Sequence, residues 1–155
     1  METVESLIGH HPLFKGLEAE QIHLMAGCAK NVVYPPQTFL FREGQNADEF
    51  YLIREGGLSL EVASPKFGGI VIQTVHAGEI LGWSWLFPPY RWHFDARTLE
   101  QVRATSLNGK CLREKCEKDP KLGFALMKRF AGVLVDRLQS TRLQLIEAYE
   151  GVREK

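Results

Sequence analysis

From Asn31 to Asn108 the apolar residues fall in short alternating runs, and beyond Asn108 they fall at helical spacing. That change of period most narrows the folds open to the chain, because a period of two and a period near 3.6 cannot describe one kind of element. The first region holds Val32-Val33-Tyr34, Thr38-Phe39-Leu40-Phe41, Phe50-Tyr51-Leu52-Ile53, Leu58-Ser59-Leu60-Glu61-Val62 and Ile70-Val71-Ile72. Gly, Pro and Asn separate the runs, roughly ten residues apart, which predicts an antiparallel β sandwich or barrel. Gly44 in Glu43-Gly44-Gln45 suits a turn with positive φ. Glu55-Gly56-Gly57 reads as a tight hairpin between two strands. Before this region, Ala19, Ile22, Met25, Ala26 and Ala29 mark a helix over Glu18–Ala29, with Gly16 punctuating its start. Helices over 1–30, strands over 31–108 and helices over 109–155 make one domain of 155 residues.

The C-terminal part predicts two helices. The first is short, Gly109 to Lys118. Asp119 then caps a second, with Pro120 at its first position, where a missing N–H costs nothing. Running to about Glu150, it is about 45 Å long, more than a small domain needs. Met127, Ala131, Leu134, Leu138, Thr141, Leu145 and Ala148 alternate spacings of four and three, a heptad seam of the kind that packs on a second copy of itself. A homodimer through Met127, Leu134, Leu138, Thr141 and Leu145 is expected. Thr141 is the polar residue in that seam. Phe124, Leu126, Phe130 and Val133 form a second stripe that can face the β region.

Composition narrows the functional classes. Lys+Arg and Asp+Glu are 19 each, so no cationic surplus supports direct DNA binding. No run of about 18 apolar residues predicts a membrane helix. The acidic start, Met1-Glu2-Thr3-Val4-Glu5, is unlike a signal peptide, so the cytoplasm is expected. Cys28, Cys111 and Cys116 are odd in number and contain no Cys-x-x-Cys pair, which predicts reduced thiols. His10 and His11 are adjacent, and His23 and His76 lack partners at ligand spacing, so no metal is expected. No nucleophile elbow, P-loop or His-Glu-x-x-His motif supports an enzyme.

The stretch Gly78 to Thr98 carries the functional signal. Gly78-Glu79-Ile80-Leu81-Gly82 followed by Trp83 resembles the Gly-(Asp/Glu)-x-(Ile/Phe)-Gly-Glu segment of cyclic-nucleotide-binding domains, with tryptophan in place of the last glutamate. His11-Pro12-Leu13-Phe14 with Leu17 resembles that family's opening motif. Phe41-Arg42-Glu43-Gly44 and Phe50-Tyr51-Leu52-Ile53-Arg54-Glu55-Gly56 resemble its glycine-marked turns. Arg137-Leu138-Gln139-Ser140-Thr141 resembles the central helix of the catabolite activator protein group. Over about Pro12–Tyr149 the resemblance implies an antiparallel β-roll of double-stranded jelly-roll type, with flanking helices and a long dimerisation helix. It implies a sensor of the Crp/Fnr kind. The chain stops at Lys155, so the DNA-binding domain of such regulators is expected to be missing and the signal to pass to a separate effector protein.

The resemblance also nominates site residues, and here the usual chemistry is altered. Gly82 permits close backbone approach to a phosphate, and Ser84 can cap a short helix over Trp85-Leu86-Phe87. Arg91 is the nearest candidate cation, with Arg97 as an alternative on a strand. Trp83 is donor only and cannot replace a ribose-binding carboxylate; Glu79 is a weak substitute. Trp83, Trp85, Tyr90, Trp92 and Phe94 crowd the segment with rings that can line a ligand site or fill it. His93 among them is a candidate anion contact. Thr141 matches the position that reaches the purine, and Arg142 beside it can stack on a base or cross to a second subunit. No resident cofactor is expected beyond a cyclic nucleotide or another small molecule. Two outcomes stay open: an altered ligand site, or a scaffold with its pocket closed by aromatics.

Overall fold

The computed structural model describes residues 3–153; Met1, Glu2, Glu154 and Lys155, at the ends of the expected domain, lie outside them. Helix α1 (Val4–His10), a 3-10 turn at Pro12–Phe14 and helix α2 (Ala19–Ala26) come first. Eight strands follow: β1 (Ala29–Tyr34), β2 (Phe39–Phe41), β3 (Glu49–Glu55), β4 (Leu58–Ser64), β5 (Gly68–Val75), β6 (Ile80–Leu81), β7 (Asp95–Thr98) and β8 (Val102–Asn108). Helices α3 (Gly109–Lys118) and α4 (Pro120–Arg153) close the chain. The strands form two four-stranded antiparallel sheets, ordered β1-β8-β3-β6 and β2-β7-β4-β5. This is the mainly β roll with flanking helices that the sequence predicts.

Strand β3 explains why two cores coexist. Phe50 and Leu52 point to one face, into a cluster with Ile8, Phe14, Trp85, Leu107, Leu126 and Phe130 from the helical side. Tyr51 and Ile53 point to the other, into a cluster with Phe41, Leu58, Leu60, Trp92 and Phe94 between the sheets. A strand covered on both faces reads as a continuous apolar run, as Phe50-Tyr51-Leu52-Ile53 does.

Several boundaries differ from the sequence reading. Helix α2 ends at Ala26, because Cys28 N–H bonds back to the Met25 carbonyl and Ala29 already pairs with Leu107 on β8. The expected Glu55-Gly56-Gly57 hairpin is instead a crossover: β3 pairs with β8 and β6, while β4 pairs with β5 and β7 in the other sheet. Gly56 takes φ +88°, and a Cβ there would collide with the Gln101 carbonyl, so glycine is required for the crossing rather than for a hairpin turn. The expectation of three reduced thiols is also corrected. Cys28 and Cys111 form a disulfide across 83 residues, and Cys116 is free. Pairing of β1 with β8, together with the Asn108 N–H to Cys28 carbonyl bond of 2.8 Å, brings the start of α3 onto the end of α2. Spacing along the chain cannot reveal that closeness.

Both C-terminal helices begin at side-chain caps, of which the sequence predicts the one at Asp119. The Asn108 side chain accepts from Cys111 N–H at 2.8 Å to start α3, and the Asp119 carboxylate accepts from Leu122 N–H at 3.2 Å to start α4. Leu122, Leu126 and Phe130, four apart, bury one face of α4, with Val133 packed partly against the same core. Phe124, expected on this face, is exposed, because it sits half a turn away from Leu122. From Thr141 to Val152 every side chain is exposed.

Candidate functional site: a cavity between the roll and the long helix

The segment after β6 is built around Gly82. It takes φ +102°, and a Cβ placed there would lie 2.6 Å from the Trp92 ring. The close approach that glycine permits is therefore used by an indole of the same chain. Trp92 is held from both sides of its backbone: its N–H donates to the Gln45 carbonyl at 3.0 Å, and its carbonyl accepts from Gly44 N–H at 2.8 Å. Its ring stacks on Phe41 with centroids 3.7 Å apart and is almost fully buried. The turn at Gly44, φ +87°, thus anchors the residue that covers Gly82.

The other nominated residues lie in separate places. Trp83 and Thr141 face one hollow of about 370 Å³, lined also by Leu60, Phe94, Arg137 and Gln144, with its roof from α4. Ser84 and Trp85 are buried, and Trp85 stacks on Phe50 at 4.8 Å on the helical side of sheet β1-β8-β3-β6. Trp83, not Ser84, occupies the cap position of a 3-10 turn over Ser84–Leu86, and Ser84 Oγ is buried without a protein partner. Arg91, His93 and Arg142 are exposed. Arg91 Nη1 donates to the Gly44 carbonyl at 2.9 Å. Arg97 forks onto Glu61, with Nε and Nη2 donating at 2.9 and 3.1 Å. Of the nominated residues on the roll, then, Trp83 borders the cavity; Gly82, Trp92, Arg91 and Arg97 do not.

Arg137 is the cation the sequence reading passed over. It borders the cavity and also a second hollow of about 410 Å³ lined by Pro12, Leu13, Glu79, Asp136 and Ser140. Its guanidinium lies over the Trp83 ring, 5.3 Å from the centroid, and Nη2 donates to the Ile80 carbonyl at 3.3 Å. Nη1 is buried with no acceptor. Burial pushes its pKa below the ordinary arginine value, partly offset by the charge of Glu79. Glu79 itself accepts from His76 N–H at 3.0 Å, a turn role. Arg137, Thr141 and Gln144 stand at i, i+4 and i+7 on α4, so the spacing was a usable signal for one shared face. Among the described residues no group of three His, Cys, Asp or Glu is placed to hold a metal. Nor is any helix long and apolar enough to cross a membrane.

With this geometry in view, the likeness to known proteins is specific. The cyclic nucleotide-binding domain profile matches residues 31–119. The chain is 23% identical over 144 residues to a CRP-like cAMP-activated global transcriptional regulator of Mycobacterium tuberculosis, covering 93% of this chain and 62% of that protein. It is 32% identical over 77 residues to cyclic nucleotide-gated channel beta-3 of Canis lupus familiaris, covering 50% of this chain and 10% of the channel. The chain therefore spans less than two thirds of each. A candidate cyclic nucleotide-binding protein from Geobacter metallireducens GS-15 superimposes with TM-score 0.78 at 32% identity, covering 89% of this chain and 99% of that one. The profile match includes the roll, the cassette and α3, and on that ground the chain belongs to the cyclic nucleotide-binding domain family.

Proposed function

We propose that this chain is a ligand-sensing regulatory module in which cyclic nucleotide binding is altered or lost, and which signals through a homodimer of α4 to a separate effector protein. The observation that carries the reading is the roof of the cavity. Leu134, Arg137, Leu138, Thr141 and Gln144 all come from α4, so an occupant of the roll touches the helix that leaves it. A ligand that prefers one position of that helix shifts the population toward it.

Loss of the usual ligand follows from three replacements. The Trp92 ring packs against Gly82, filling the space that the missing side chain leaves. Arg91 is engaged by the Gly44 carbonyl, outside the cavity. Trp83 offers no acceptor for a ribose hydroxyl. The packing of Trp92 against Phe41 and Phe94 also favours a second reading, a dimerisation scaffold with its pocket filled. A cytoplasmic location, no catalysis and no direct DNA contact by this chain belong to the same proposal, the last supported by balanced charge.

Thermal unfolding with cyclic AMP, cyclic GMP and cyclic di-GMP tests the proposed loss. A ligand at about 100 times its Kd adds about 2.7 kcal/mol, a Tm rise of roughly 5–10 °C for a chain of this size. The expected result is no rise above about 1 °C with any of the three near 1 mM. A rise in the larger range would restore cyclic nucleotide as the ligand.

A further inference from the structure

We propose that the cavity under α4 takes a flat apolar carboxylate, an aromatic acid, held by Arg137 instead of by the cassette. This rests on the reading of that cavity as a working ligand site. The walls decide the body of the ligand. Leu60, Ile72, Trp83, Phe94, Leu134 and Leu138 supply mostly apolar surface, two of them with aromatic faces. Flat rings stack on such faces, and the volume of about 370 Å³ is at the small end of ligand sites.

The polar lining decides the head group. Gln73, Arg137, Thr141 and Gln144 are the polar residues there, and only Arg137 carries charge. Gln144 Nε2 is already committed to the Ile72 carbonyl at 2.9 Å. Arg137 has one long bond of 3.3 Å through Nη2, and Nη1 has no acceptor. A buried guanidinium N–H without a partner is costly, and an acceptor that reaches it regains that cost. The acidic side chains Glu79 and Asp136 line the second hollow and not the cavity, so no carboxylate of the chain borders the cavity beside Arg137. The Arg137 guanidinium carbon lies 5.3 Å from the Trp83 ring centroid, which keeps the charge beside the apolar wall. A carboxylate needs only the planar guanidinium fork. A phosphate needs additional backbone donors, and none of the residues that line the cavity is a glycine.

Calorimetric titration with 2-naphthoate and 2-naphthamide isolates the charge, since the two probes share a ring system. Wild-type protein is expected to bind the acid at least ten times more tightly than the amide. Arg137→Met should erase that preference, and Arg137→Lys, which keeps the charge without the fork, should retain part of it. Far-ultraviolet circular dichroism establishes that each variant is folded. Equal binding of acid and amide to wild type, or a preference that survives Arg137→Met, overturns the Arg137 assignment while leaving the cavity a working site. Binding of neither probe at 1 mM overturns the assignment and the reading of the cavity with it.

Discussion

At the scale of single residues, the replaced cassette was legible and its consequence was not. Trp83 and Trp92 could be seen standing where the family has other residues, but a list of rings does not say which one is core. Alternation held more than was read from it: Trp92, Phe94, Ala96 and Thr98 are buried, while Arg91 and His93 are exposed. A period of two therefore separates the candidate cations Arg91 and Arg97 from the buried rings of Trp92 and Phe94. Because the Trp92 ring is core, Trp92→Ala should lower stability by about 3–5 kcal/mol, read as a shift in the urea midpoint. A loss below about 1 kcal/mol would mean that the indole is not part of the packing. His11 gives a prediction about pH. It is buried, its Nδ1 accepts from Leu13 N–H at 3.2 Å, and Nε2 has no protein partner. Burial lowers its pKa from the ordinary 6.5, against a smaller raising effect from the backbone of Glu79. Below 6.5 the unfolded chain then binds more protons than the folded one. The contribution of neutral His11 is full above that value and is lost as pH falls toward the folded pKa. Urea unfolding between pH 7.5 and 5 should show His11→Asn with a shallower decline than wild type; parallel curves would remove His11 as a cause.

Among elements, what is local could be read and what is long-range could not. Asp119-Pro120 announced the start of α4, and the run Gly109–Lys118 announced α3, because caps and helix periods act within a few residues. The crossover at Gly56 looked like a hairpin because a glycine pair between two apolar runs serves both purposes. Only partner choice, β8 for β3 and β7 for β4, tells them apart. The disulfide depends on a long-range pairing in the same way. Cys28 and Cys111 meet only after β1 has paired with β8. Closing a loop of 83 residues restricts the unfolded chain by about 4.5 kcal/mol in the chain-entropy account. Urea unfolding of the oxidised protein and of Cys111→Ser should therefore differ by up to about this amount. Identical midpoints in air-oxidised samples would mean that the bond does not form.

At the scale of the whole molecule, α4 does two jobs that the sequence showed as two stripes. Its first turns belong to the domain through Leu122, Leu126 and Phe130. Further along, Leu134, Leu138 and Thr141 both line the cavity and lie on the heptad seam, so ligand and partner helix would press on the same residues. Leu138 is 71% exposed and Leu145 is 69% exposed, so neither is held by its own domain. Burying such a seam against a second copy favours association in proportion to apolar area removed from water. A carboxylate forced into it would be desolvated opposite its own twin, which costs several kcal/mol. Leu138→Glu should therefore sediment as a monomer at concentrations where wild type is a dimer. Its roll should still unfold cooperatively, because the residue contributes little packing within the chain. A dimer that persists in the variant would place the interface elsewhere. A wild-type monomer would leave α4 to carry the signal alone, and the shared residues Leu138 and Thr141 would then serve the cavity only.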